Sequence, residues 1–260
     1  MTRYSEVAAA LLCVLLTASV SHAEPMRDGQ GTATLPDSSV YRGEFKGGLF
    51  NGQGSLTRRD GATYSGQFKD GLMHGQGTLS NRTYMYTGSF ADGLFHGRGV
   101  VTFSTGARYE GDFVNELYHG KGVLTYQNGD RYEGDFKKGS PQGKGILIRA
   151  NGDKYTGDFK DGLFHGKGVL TYTNGDRYEG DFKNSAFCGN GVFTRANGNK
   201  YTGDFKDNRF HGRGVLNYGT GEVYRGDFKG GVFDGQGTFI WADGRMREGL
   251  WEGGRFLGED

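Results

Sequence analysis

The chain is poor in proline and cysteine, with three and two among 260 residues, and it carries no excess of charge, with 31 basic against 30 acidic side chains. A collagen-like rod needs abundant proline and glycine at every third position, and neither holds. Wholesale nucleic-acid binding rests on a clustered excess of Lys and Arg, which a balanced chain does not offer. No apolar run reaches the roughly 20 residues of a membrane-spanning helix. The longest, Val7 to Val20, is confined to the amino terminus.

That run follows a short polar start containing Arg3 and ends at Ser21-His22-Ala23, where small residues stand first and third before a potential cut. This layout predicts a secretory signal peptide over residues 1–23, cleaved after Ala23, with an uncleaved signal anchor as the alternative. Cys13 follows Leu11 and Leu12, not the small residue of a lipoprotein signal. A short mature stretch, 24–27, comes next, and the expected location is exported, either periplasmic or secreted. Loss of Cys13 leaves Cys188 alone, so no intrachain disulfide can form and the thiol could at most link two chains. Asn81-Arg82-Thr83 is a lone glycosylation sequon, relevant only in a eukaryotic secretory pathway.

What the chain has in abundance is glycine, at 50 residues, with 15 Tyr and 19 Phe. A disordered chain of such polarity would be short of aromatics. These residues recur with a period of 23, the mark of a repeat architecture. The clearest unit is Tyr155 to Arg177, YTGDFKDGLFHGKGVLTYTNGDR. Nine full units start at Tyr41, Tyr64, Tyr86, Tyr109, Tyr132, Tyr155, Tyr178, Tyr201 and Tyr224. A partial unit from Asp28 precedes them, and another from Arg247, with Gly249, Trp251 and Gly258 in register, follows. The array therefore covers 28–260, with no separate domain. The second unit is one residue short, and its tail, Ser80-Asn81-Arg82-Thr83, lacks the turn glycine.

Strand side chains alternate faces. Tyr155, Gly157 and Phe159 would share one face of a first strand, and Phe164, Gly166, Gly168, Leu170 and Tyr172 one face of a second. This is the expected packed face, with glycines as bare patches beneath aromatic rings. The other face carries Thr156, Asp158, His165, Lys167 and Thr171 and is polar. Asn128-Gly129, Asn151-Gly152, Asn174-Gly175 and Asn197-Gly198 predict two-residue hairpin turns with positive φ at both central positions. Asp70-Gly71, Asp92-Gly93 and Asp161-Gly162 fit the alternate connection. Short links throughout imply an all-β meander of stacked hairpins with roughly 18 to 20 strands.

The pattern Tyr-x-Gly-x-Phe-Lys-x-Gly-x-x-His-Gly-x-Gly resembles the MORN (membrane occupation and recognition nexus) repeat. The resemblance implies an elongated single-sheet array of β-hairpins that serves as a scaffold, a dimerisation module or a phospholipid-binding module. Departures break the symmetry. Proline cannot donate to a strand ladder, so Gly139-Ser140-Pro141-Gln142 predicts a bend or interrupted pairing. Asn115-Glu116 and Asn184-Ser185-Ala186 lack the first-turn glycine and predict irregular loops there.

Three rows could carry chemistry. His74, His96, His119, His165 and His211 share one repeat position, held elsewhere by Asn51, Gln142, Cys188 and Asp234. Equivalent positions two strands apart lie roughly 10 Å from one another and cannot converge on one ion. A second row is acidic, Asp112, Asp135, Asp158, Asp181, Asp204 and Asp227, and faces Lys121, Lys144, Lys167 and Arg213 in an expected salt-bridge ladder. A third is basic, Lys137, Lys160, Lys183, Lys206 and Lys229 beside the first turn, with Arg131, Lys154, Arg177 and Lys200 before the tyrosines. Acidic neighbours such as Asp161 and Asp207 could neutralise it; left free, it would suit anionic headgroups. No catalytic constellation, cofactor motif or metal motif stands apart from the repeat. The expectation is a non-catalytic exported scaffold that binds another protein or itself, with anionic phospholipid as the alternative partner.

Overall fold

The computed structural model describes residues 28–259. The expected signal peptide, residues 1–23, and residues 24–27 lie outside them. The chain divides into two compact units between Ser140 and Pro141. The first carries β1 (Gly29–Thr34) to β10 (Arg131–Lys137), and the second β11 (Ser140–Ile148) to β21 (Arg255–Gly258), with β11 starting at the division. Each unit is an antiparallel meander in which every strand pairs with the one before it. All regular structure among the described residues is strand, as the alternating pattern implies; the partial units supply three strands beyond the eighteen of the nine full ones.

Each full unit has the same internal build, seen in β12 (Lys154–Lys160) and β13 (Leu163–Thr171). Lys160-Asp161-Gly162-Leu163 makes a tight turn in which Asp161 (φ 51°) and Gly162 (φ 77°) are both left-handed. Pairing then runs Lys160↔Leu163, Phe159↔Phe164, Asp158↔His165, and jumps to Gly157↔Gly168. Gly166 and Lys167 form a bulge on β13, which the plain alternation of the sequence did not foretell. Gly166 sits at φ 55°, a conformation that side chains rarely adopt. It therefore does not lie beneath a ring, as expected, but turns the strand.

A bulge leaves backbone groups without ladder partners, and the repeat supplies both substitutes. The Tyr155 hydroxyl donates to the Asp158 carbonyl at 2.9 Å. The Asp158 carboxylate accepts the Lys167 N–H at 3.1 Å. The tyrosine bond recurs in all nine full units, from Tyr41 to Glu44 through Tyr224 to Asp227.

The core is the row of rings. Tyr155 stacks on Phe164 at 3.7 Å and meets Phe159 and Phe182 edge-on at 5.1 and 5.0 Å. Such pairs add about 0.5–1.5 kcal/mol each beyond area burial. Because Phe182 belongs to the next unit, each hairpin closes the core of its predecessor. Gly157 and Gly168 lie under Tyr155, as the sequence implies; a Cβ on Gly168 would come 2.6 Å from two of its ring carbons.

Three expectations need correction. The Asn-Gly turns are not two-residue turns with both residues left-handed: at Asn174-Gly175 only Gly175 has positive φ (92°). Tyr172 N–H bonds to Asp176 C=O, and Asp176 N–H to Asn174 Oδ1, so asparagine closes a longer loop from its side chain. The two-residue turn is instead the Asp-Gly one. The sites at Asn115-Glu116 and Asn184-Ser185 are not irregular but keep that same turn, with φ of 48° and 66°, then 50° and 66°. At the second site Ser185 N–H bonds to Phe164 C=O while Ser185 Oγ accepts Phe164 N–H, which offsets the cost of a non-glycine residue there. Finally, β11 runs unbroken through Pro141, whose carbonyl accepts Gly162 N–H at 3.0 Å; proline's missing donor does not end the strand.

Candidate functional site

The polar face shows the expected ladder. Lys144 Nζ lies 2.6 Å from Asp158, Lys167 2.7 Å from Asp181, and Lys121 2.5 Å from Asp135. Arg98–Asp112 and Arg213–Asp227 are longer, at 3.5 and 3.7 Å, and Asn190 hydrogen-bonds to Asp204 in place of a cation. In the second unit Asp158, Asp181, Asp204 and Asp227 thus each join their own bulge to the previous hairpin, which gives the row a structural role. Asp158→Ala is expected to cost about 1 kcal/mol, since it removes a bulge hydrogen bond and a solvated ion pair. Urea denaturation measures this; an unchanged midpoint would refute the role.

The histidines stay apart. His119, His165 and His211 each lie opposite an aspartate, Asp112, Asp158 and Asp204, and their carbonyls accept the tyrosine hydroxyls. Among the described residues, no group of three or more His, Cys, Asp or Glu is placed to hold a metal ion. Cys188 takes the same position opposite Asp181. Burial and that carboxylate push its thiol pKa up, which disfavours the reactive thiolate.

Lys137 ends β10, and Lys160, Lys183, Lys206 and Lys229 end strands of the second unit, each beside the tight turn and exposed. None forms an ion pair within 4 Å among the described residues. Asp161, the suspected neutraliser, instead accepts a hydrogen bond from Gln142. Directly across the turn from two of these lysines stand part-exposed aliphatic residues, Leu163 opposite Lys160 and Val232 opposite Lys229. In the second unit the result is a basic rim along the turns, amphipathic at Lys160 and Lys229, whereas Lys206 faces Arg209.

A second feature escaped the sequence reading. In the first unit a groove of about 440 Å³ opens over the second repeat, reaching from the Arg58–Ala62 turn to the Asp92-Gly93 turn. The missing residue in the 80–83 tail was visible in the sequence. The accompanying signal was Met73, which stands where most repeats carry a stacking ring.

The MORN repeat family matches nine consecutive stretches, 41–63, 64–83, 86–108, 109–131, 132–154, 155–177, 178–200, 201–223 and 224–244. The chain belongs to the MORN repeat family, whose repeats generally act as protein or membrane interaction modules. No curated protein matches it. Among solved structures it is similar to the TCP10 domain of Danio rerio CPAP, at 12% identity over 85% of this chain and 100% of that one, with a TM-score of 0.42. It is also similar to the SAS-4 (dCPAP) TCP domain of Drosophila melanogaster, in complex with a proline rich motif of Ana2, at 13% identity over 58% of this chain and 83% of that one, with a TM-score of 0.37. Likeness at this level bears on neither function nor partner.

Proposed function

We propose that this chain is an exported, non-catalytic scaffold that docks another protein, or a second copy of itself, through its extended repeat surface. The observation that carries this reading is the turn rim of the second unit, where exposed lysines free of ion pairs recur at one repeat position and two of them face exposed aliphatic side chains, Leu163 and Val232. Charge steers and orients a partner, while the aliphatic groups gain from losing water. Replacing Lys160, Lys183, Lys206 and Lys229 by Glu should abolish crosslinking to a partner captured from the native exported fraction. The circular dichroism and melting of the variant should stay as in the parent, because all four side chains are exposed. A monomer by light scattering, with no crosslinked partner, would overturn the reading.

The same unpaired lysines favour a second reading, an anionic phospholipid surface, with each cation contributing up to about 1 kcal/mol near the headgroups. Among the described residues no helix is long and apolar enough to cross a membrane, so attachment of this kind would be peripheral. Flotation with anionic vesicles at low and moderate salt separates the two; absence from the floating fraction at both would remove the lipid reading.

A further inference from the structure

We infer that the groove over the second repeat is a binding site for a free single-chain fatty acid, with its carboxylate held by Arg58 and Arg82. This site is separate from the turn rim and stands whether or not the rim docks a partner.

The groove has an identifiable origin. In seven of the nine full units the inward tyrosine stacks on an aromatic ring from its own hairpin at 3.6–3.8 Å. In the second unit β4 (Thr63–Lys69) brings Tyr64, and β5 (Leu72–Ser80) offers Met73 opposite Phe68. An unbranched thioether fills less than a ring and adapts to what lies against it. The loop after β5 is also shortened: Asn81 Oδ1 folds it by accepting the Thr83 and Tyr84 N–H groups. The space left is lined by Phe50, Leu56, Phe68, Met73 and Leu79. Its volume is that of an ordinary small-ligand site.

Charge gives the groove a direction. Arg58 and Arg82 both line its end at the second turns, and neither forms an ion pair within 4 Å among the described residues. Asp60 at that end has Oδ1 engaged by the Ala62 N–H, and Asp37, close enough to Arg58 to feel its charge, lies outside the lining with its carboxylate held by Ser39. Asp92 lies at the opposite end and would repel a carboxylate placed there. One anionic head and an apolar tail match this arrangement.

The backbone decides for an alkyl chain over a peptide. Strands β3 (Leu49–Thr57) to β6 (Tyr84–Ala91) are paired on both sides along the groove, and the Tyr64 hydroxyl already donates to the Gln67 carbonyl. A peptide laid on the lining would bury amides with few partners, at substantial cost. An alkyl chain has no such groups.

The test is titration of the full chain with monomeric myristate, read by displacement of a fluorescent probe. Met73→Phe restores the ring that seven of the other units carry, so binding should fall at least tenfold while the melting temperature holds or rises. Arg58→Gln with Arg82→Gln should weaken myristate about tenfold and leave myristyl alcohol unchanged. Shortening the acid from fourteen to twelve carbons should weaken binding roughly fifteenfold, near fourfold per methylene. No binding of myristate by the parent chain overturns the proposal. So does a folded Met73→Phe variant of undiminished affinity, indifference to chain length, or retention by anionic vesicles without binding of the monomeric acid. Should the Met73 variant fail to fold, the arginine pair and the chain-length series decide.

Discussion

Alkaline solution between pH 10 and 12 is expected to unfold the protein cooperatively. The nine inward tyrosines are at most 2% exposed. Burial raises the pKa of each above the ordinary phenol value, to about 12 for Tyr41 and Tyr224 and further for the other seven. The sign follows from which state holds the proton. Below pH 10 both folded and unfolded chains keep their phenols neutral, and the full stability is present. Above pH 10 the unfolded chain releases these protons and the folded one does not, so unfolding is favoured as pH rises toward the folded values. Each such tyrosine removes on the order of 1.4 kcal/mol per pH unit in that window. The first unit holds five of the nine and the second four, against a domain stability of about 5–15 kcal/mol. One pH unit is therefore enough to threaten either unit. Phenolate absorbance should rise together with loss of the far-ultraviolet strand signal. Titration of these phenols near pH 10 with the sheet intact would refute their burial.

Gly168→Ala should destabilise the second unit by about 3 kcal/mol or more, at the upper end of overpacking effects. The new methyl would press on the Tyr155 ring. That ring cannot move aside, because Phe164 is stacked on it at 3.7 Å and Phe182 meets it edge-on at 5.0 Å. A double-mutant cycle isolates the clash. Tyr155→Leu alone leaves a cavity costing several kcal/mol, but adding Gly168→Ala to it should cost little more. Additive losses in urea denaturation would show that the glycine serves some purpose other than room for the ring.

These outcomes rest on features of unequal legibility. The period, the strand pairs and the inward row of Tyr and Phe could be read directly, since alternation and turn dipeptides are local signals. The spacing of the aspartate row implies a ladder of charges, and Lys144–Asp158 and Lys167–Asp181 have that form. Its other task, holding the bulge N–H groups, was hidden, because Gly166 looks like any other strand glycine until its φ is known. The turns misled for a related reason. Asn-Gly suits a two-residue turn, yet here Asn174 uses its side chain to close a longer one. Ser185 tolerates a left-handed conformation because a hydrogen bond with the neighbouring hairpin supports it. The Asn174 partner, Asp176, is local but fixed by a loop geometry that the dipeptide does not specify, and the Ser185 partner, Phe164, comes from another hairpin.

By itself, then, the sequence determined a β-hairpin repeat, its register from Tyr41 to Tyr224, its aromatic inner face and its polar outer one. Periodicity carries that information, because every unit must present the same surface to its neighbours. Tertiary structure alone decided which glycines bend the strand and which make room for a ring. It also decided that the lysines stay unpaired, and that the missing ring at Met73 opens into a groove bounded by two arginines. Those depend on where side chains from different hairpins meet, and a 23-residue period is silent about the places where it is broken.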